Sequence, residues 1–148
     1  MTTESTTPTV GDRMASKPIV IRVDASLTDA AALMDRHHIH GVPVVDASGS
    51  LVGVLSQTDL ARARGTEYLW SNWPGLVVRH LMTSPAITVD RSTSLVVAAR
   101  KMERHRIHRL VVVDDQDPTI PVGVLSTTDL IHAIAEELAP TAEVAPDA

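Results

Sequence analysis

The sequence predicts an α+β fold made twice over: two tandem units, each running strand-helix-strand-strand-helix, packed sheet to sheet about a pseudo-twofold axis. Three observations predict it. First, the stretch Gly53-Val54-Leu55-Ser56-Gln57-Thr58-Asp59-Leu60 returns as Gly123-Val124-Leu125-Ser126-Thr127-Thr128-Asp129-Leu130, with a change only at Gln57 against Thr127. Second, the spacing around it is constant. Met14 and Met82, Leu27 and Leu95, Met34 and Met102, and Asp46 and Asp114 all stand 68 residues apart, and the spacing becomes 70 only after Asp115-Gln116-Asp117-Pro118 lengthens a hairpin loop. Insertions belong in loops, so the slip supports the duplication. Third, a unit of roughly 70 residues with one three-stranded sheet and two helices leaves an apolar sheet face uncovered, which a second unit is suited to cover.

In chain order, residues 1–9 form a Thr-rich polar tail, and Val10 to Met14 make a short helical turn that docks through Val10 and Met14. Lys17-Pro18 breaks that turn, and Ile19 to Val23 is a short β-branched strand. Ser26 caps a helix with Asp29 at the capping-box position. Its apolar stripe runs through Leu27, Ala30, Ala31, Met34 and His38, one face wide, and Gly41 is expected to end it. Val42-Pro43-Val44-Val45 is the next strand, with Pro43 at a start or an edge. Asp46-Ala47-Ser48-Gly49 turns the chain into the strand Leu51 to Leu55, and Ser56 opens a helix that stops near Arg64-Gly65. The first unit thus covers residues 10–64. A connector over 65–76 holds all three aromatics, Tyr68, Trp70 and Trp73, and is expected to cover a seam between the units. The second unit covers 77–138, and 139–148 is an acidic, Pro-containing tail expected to be disordered.

Composition narrows the function classes. Hydrophobic residues make up 44% and charged residues 21% of the 148, with a formal net charge of −5 and no basic tract, which argues against nucleic acid as a partner. Phe is absent, so a stacking platform for single strands is absent too. There is no Cys, which removes disulfides, thiolate zinc sites and thiol nucleophiles. No stretch is long and apolar enough to span a bilayer; a cytoplasmic location with no membrane partner is expected.

The chemistry concentrates where each Gly-containing strand runs into a helix. Unpaired backbone N–H groups and the positive end of the helix dipole point out of such a junction and can hold hydroxyls or phosphates. Ser56 with Asp59, and Ser126 with Asp129, have capping-box spacing, which by itself satisfies orphan N–H groups without any ligand. Their repetition together with Gly, Thr58 and Thr128 favours the functional reading. The segments His37-His38-Ile39-His40 and His105-Arg106-Ile107-His108-Arg109 supply cations before each central strand. Metal binding by His37 with His40, or His105 with His108, ranks below phosphate contact or helix capping, since no acid completes a local ligand set.

Taken together, the pattern resembles a tandem pair of CBS domains, the cystathionine β-synthase-type module also called a Bateman module. The resemblance runs from about Val10 to Leu138. It is carried by Met14 to Pro18 and its shorter counterpart Met82-Thr83-Ser84-Pro85, by Ile39 to Asp46, and by the two Gly-to-Asp junctions. It implies a cleft between paired units that binds adenosine-containing ligands such as AMP, ADP, ATP, NAD or S-adenosylmethionine as regulators, with no cofactor and no catalytic residue. Carried over by position, Asp59 and Asp129 take ribose hydroxyls, beside Ser56, Ser126, Thr58 and Thr128. A carboxylate is an acceptor matched to the two donors of a cis-diol. The base is expected against Ile19, Val20 and Ile21 and against Ala86, Ile87 and Thr88, and against Val42 and Pro43 or Leu110 and Val111. His40, His108 and Arg109 are expected near phosphate. Repeat one has Gly41 and Pro43 where repeat two has Arg109 and Val111, so the two sites are expected to differ, with Arg109 favouring a phosphate tail.

The expected function is a stand-alone regulatory module, not an enzyme, that forms a homodimer through the helix faces around Leu60, Ala61, Leu130 and Ile134 and signals to a protein partner in trans. Two rivals stand beside it. A hydrolase would need a base oriented against Ser56 or Ser126, and no His follows at a defined local spacing. A purely structural interaction module would have clefts empty or filled by side chains, with Arg109 the candidate filler.

Overall fold

The computed structural model describes residues 7–138. The first half contains α1 (Val10–Arg13), β1 (Ala15–Ser16), β2 (Ile21–Arg22), α2 (Leu27–His37), β3 (Gly41–Val45), β4 (Leu51–Ser56) and α3 (Gln57–Gly65). A short helix α4 (Glu67–Ser71) and a 3-10 turn (Trp73–Gly75) form the connector. The second half contains α5 (Val78–Leu81), β5 (Thr88–Asp90), α6 (Leu95–His105), β6 (Arg109–Val113), β7 (Pro121–Ser126) and α7 (Thr127–Leu138). The fold is α+β with two matching repeats, as the duplication requires.

In each half the edge strand runs parallel to the central one, and the central strand pairs antiparallel with the strand that carries the Gly: β2-β3-β4 in one sheet and β5-β6-β7 in the other. Ser26 and Ser94 cap α2 and α6 by accepting from Asp29 N at 3.0 Å and Val97 N at 3.1 Å. The strand expected over Ile19–Val23 is shorter than its apolar run. Ile21 and Arg22 pair with β3 and Val23 N donates to Val45 O at 2.8 Å, while Ile19 and Val20 stay outside the ladder, since the chain comes out of Lys17-Pro18, where Lys17 is left-handed and Pro18 has no N–H to donate. Gly41 does not end α2 as expected. The helix stops at His37 with His38 left-handed (φ 54°), and Gly41 opens β3.

The halves are interlocked. α1 and β1 leave the first unit and join the second: β1 pairs with β7, Val10 N donates to Thr93 O at 2.8 Å, and the fully buried Val10 packs with Val89, Leu95, Leu110 and Leu125. The reciprocal exchange puts Val78, also fully buried, among Leu27, Val42 and Leu55, with its N–H on Ala25 O at 2.9 Å. Each core is therefore closed by an apolar residue from the other half of the sequence. The repeated glycines permit the crossing. A Cβ on Gly53 would lie 2.6 Å from the Thr83 carbonyl oxygen, and one on Gly123 2.7 Å from Met14 Sδ and 2.9 Å from the Ala15 carbonyl oxygen. No side chain fits where two backbones meet so closely.

Of the expected tails, residues 1–6 and 139–148 lie outside the described residues. Pro8 and Thr9 are held: Pro8 O accepts from Leu95 N at 3.1 Å, and Thr9 bridges to Ser94. The aromatic connector covers the helices of the first unit instead of the seam between the two. Trp73 packs on that unit's core and donates Nε1–H to Thr28 Oγ1 at 2.8 Å, while Trp70 lies 5.2 Å from it under the Arg64 guanidinium.

Candidate ligand clefts

Each Gly-containing strand ends at a serine whose backbone is extended and whose successor begins a helix, so the side chains of that serine and of the acid three residues on converge at one helix N-terminus. Ser56 N donates to Asp59 Oδ2 at 2.8 Å, and Asp59 N donates to Ser56 Oγ at 3.1 Å. In the second repeat Ser126 N donates to Asp129 Oδ2 at 2.8 Å and Asp129 N to Ser126 Oγ at 3.2 Å. Both are complete capping boxes. They differ in their outer oxygen: Arg62 Nη1 stands 3.3 Å from Asp59 Oδ1, whereas among the described residues nothing bonds Asp129 Oδ1. Asp59 is 7% exposed, the only buried charged side chain among the described residues; Asp129 is more open.

Because the halves interlock, each box faces the opposite repeat across a cleft. A cavity of about 410 Å³ sets Ser56, Thr58 and Asp59 against Pro85-Ala86-Ile87 and Arg106-Ile107-His108-Arg109. Its counterpart, about 480 Å³, sets Ser126, Thr128 and Asp129 against Lys17-Pro18-Ile19 and His38-Ile39-His40-Gly41, and Arg109 lines it as well. Every cleft thus combines a carboxylate with hydroxyls on one wall, an apolar Pro-containing segment, and cations on the other wall. Such a set offers acceptors to a diol, an apolar surface to a flat ring and positive charge to a phosphate.

Backbone conformation marks the same places. Lys17, His38 and Arg106, with φ of 56°, 54° and 55°, are the non-glycine residues in the left-handed region among the described ones, and all three line a cleft. A side-chain-bearing residue there costs on the order of 1 kcal/mol, and such costs gather at functional sites.

Of the residues singled out from the sequence, Ser56, Thr58, Asp59, Ala86, Ile87, His108 and Arg109 meet in one cleft, and Ser126, Thr128, Asp129, Ile19, His40 and again Arg109 in the other. The remaining base-contact candidates lie elsewhere. Ile21 and Val42 belong to the first core and Leu110 to the second, Pro43 is buried in β3 and Val111 in β6, Val20 points away at 39% exposure, and Thr88 offers its carbonyl to Lys101 Nζ at 2.7 Å. The physical reason is alternation and burial: the central strands beyond their first residue are covered on both faces, so the apolar wall of each cleft comes from the loop leading into the edge strand, Pro18-Ile19 or Pro85-Ala86-Ile87. Sequence reasoning missed Arg62, Lys17 and the two prolines as lining residues. Pro18 and Pro85 could have been found, since each sits at the same place in the duplicated Met-to-Pro segment.

Arg109 is half-buried, and desolvation holds its guanidinium below the usual arginine range, opposed by the nearby Asp59 carboxylate. No hydrogen bond or ion pair engages this guanidinium among the described residues. Three side chains of the kinds that hold a metal come together nowhere in the described residues, and no helix there is long and apolar enough to cross a membrane.

Comparison with known proteins agrees with the architecture. A CBS-pair protein of 32% identity, CBSX2 from Arabidopsis thaliana, has a solved structure that superposes with a TM-score of 0.77 over 92% of this chain and 100% of that one. CBSX2 solved in complex with AMP superposes at 0.75, with 31% identity over 88% of this chain and 98% of that one. A CBS domain pair solved with 5′-methylthioadenosine and S-adenosyl-L-methionine superposes at 0.79, with 26% identity, 89% of this chain and 99% of that one. Among curated proteins, a homoserine O-acetyltransferase of Methanocorpusculum labreanum is 35% identical over 82% of this chain. The chain spans only about a quarter of the length of such curated relatives, 23% in that case. The CBS domain family model matches residues 10–65 and again 78–136, so the chain belongs to the CBS domain family as a tandem pair.

Proposed function

We propose that this CBS pair is a regulatory binding module for an adenosine-containing ligand, AMP, ADP or ATP foremost, with NAD and S-adenosylmethionine as further members of the class. The observation that carries the reading is the crossing of the two repeats: each Ser-x-Thr-Asp end is set against an apolar, proline-led wall and cations of the other repeat. Solved relatives hold AMP, or 5′-methylthioadenosine and S-adenosyl-L-methionine, in accord with it. In this reading Asp59 and Asp129 accept from the ribose diol, Ile19, Ala86 and Ile87 face the base, and His40, His108 and Arg109 face phosphate. The Asp129 cleft, whose carboxylate keeps one oxygen open, takes the ribose without displacing an ion pair.

A binding role fits the boxes better than hydrolysis. His108 and His40 do line the clefts of Ser56 and Ser126, but each Asp carboxylate engages the serine backbone, and among the described residues none orients the imidazole. A nucleophilic serine needs a base held against it by a third group. Ligand binding between two interlocked repeats changes their relative rigidity, which a partner protein or a second copy can read. The exposed apolar side chains of α6 and α7, including Val96, Ile131 and Ile134, support pairing with a second copy.

Titration calorimetry against AMP, ADP, ATP, NAD and S-adenosylmethionine tests the reading, with Asp59→Asn and Asp129→Asn as controls. Saturable binding that one substitution weakens at least tenfold is expected. Absence of heat with every ligand at several millimolar, in folded protein, would refute it in favour of a structural module.

A further inference from the structure

Gly41 and Arg109 are the same position of the two repeats, and the structure sets one upon the other. A Cβ on Gly41 would lie 2.6 Å from Arg109 Cδ and 2.8 Å from its Nε, so the arginine side chain crosses the pseudo-twofold axis directly over the glycine. Arginine at both positions would place two guanidinium groups in one space; Gly41 leaves that space to Arg109 alone. The crossing has a second result. Among the described residues Arg109 is the only one that lines both clefts. Its guanidinium is partly desolvated and makes no hydrogen bond or ion pair within the described residues, although Asp59 is near enough to oppose the effect of its burial. A desolvated, unpaired guanidinium is suited to an anion, and its planar fork matches phosphate.

We propose that Arg109 is a single phosphate anchor shared by the two clefts, so that a phosphate-bearing ligand in one cleft lowers the affinity of the other. This rests on the adenosine-ligand reading above and adds to it a coupling between sites. Two phosphates drawn to one guanidinium would stand within about 8 Å of each other, where repulsion at an effective dielectric near 20 weakens the second by on the order of tenfold or more. Linkage makes the effect reciprocal, and a ligand without phosphate is exempt from it.

Calorimetry of the full chain with AMP and with adenosine reads this directly. Wild-type protein is expected to bind AMP in two steps. Disabling the tighter cleft by its Asp→Asn substitution, Asp59→Asn or Asp129→Asn, should leave one step about tenfold tighter than the second wild-type step, because the competitor for Arg109 is gone. With adenosine the remaining cleft should keep its affinity within about twofold. Arg109→Gln should abolish the tenfold gain for AMP; Arg109→Met, which also removes the charge but keeps an apolar stem over Gly41, serves if the glutamine variant does not fold. If the second cleft binds AMP equally with its neighbour filled or disabled, or binds it in no variant, the shared anchor is refuted while nucleotide binding stands. If neither AMP nor adenosine binds, both readings fall together.

Discussion

Replacing Gly53 by Ala probes the contact that interlocks the halves. The added methyl carbon would be built 2.6 Å from the Thr83 carbonyl oxygen and 3.0 Å from Met82 Sδ. The sulfur can swing aside; the carbonyl cannot, since Thr83 O accepts from Val54 N and Thr83 N donates to Val54 O, both at 2.9 Å. Relieving the overlap therefore means separating the strands. An added methyl in a filled space costs about 1–3 kcal/mol, and two stretched backbone hydrogen bonds add about 1 kcal/mol each, so a loss of roughly 3–5 kcal/mol is expected. For a chain of this size, at about 2–4 °C per kcal/mol, that corresponds to a fall in Tm of roughly 6–20 °C. Urea unfolding followed by circular dichroism measures it, with Gly65→Ala as control, because a Cβ there meets nothing within 4 Å. Val54 and Thr83 also line the Asp59 cleft, so the same variant should weaken binding there. A Gly53→Ala protein within about 0.5 kcal/mol of wild type would refute the argument that close backbone approach selects this glycine.

Three further outcomes follow from the geometry. Val10→Ala should cost about 1–3 kcal/mol and raise amide exchange chiefly around β6 and β7, in the other half of the sequence, while Val78→Ala should act on β3 and β4; exchange rising next to the substitution alone would contradict the exchange of segments. Arg62→Ala uncovers Asp59 Oδ1, now 3.3 Å from Arg62 Nη1, and should tighten adenosine binding at that cleft by a few-fold in calorimetry. Asp90 Oδ1 accepts first from Ser92 Oγ at 2.8 Å and also from Thr93, which holds its pKa below the ordinary 3.8. Its folded pKa is depressed, so its stabilisation is complete above the unfolded value and is lost as pH falls through the folded one. Tm should hold between pH 7 and 5 and fall below about pH 4, with a shallower acid slope in Asp90→Asn.

Duplication made most of the fold legible. The spacing of 68 residues, 70 after the longer hairpin, ties the paired helices and sheet strands of one half to those of the other, and the serine caps and apolar stripes are local properties that a sequence displays. The two capping boxes were legible for the same reason: four residues set their geometry. The cleft walls were not, because they depend on which elements meet. Val42 and Pro43 look like wall residues beside the cations but are covered on both faces in a central strand, and the walls come instead from the loops at Pro18 and Pro85.

By itself, then, the sequence determined that there are two repeats, what each contains, and that each ends in a serine-aspartate pair able to meet a ligand, since these follow from periodicity and short-range hydrogen bonding. Only the tertiary structure decided that α1 and α5 change partners, that Gly53 and Gly123 stand where backbones cross, and that Arg109 lies over Gly41 between two clefts. Those facts concern residues tens of positions apart in the chain, brought together by closing one apolar sheet face on another, and no local pattern encodes which side chain arrives opposite which.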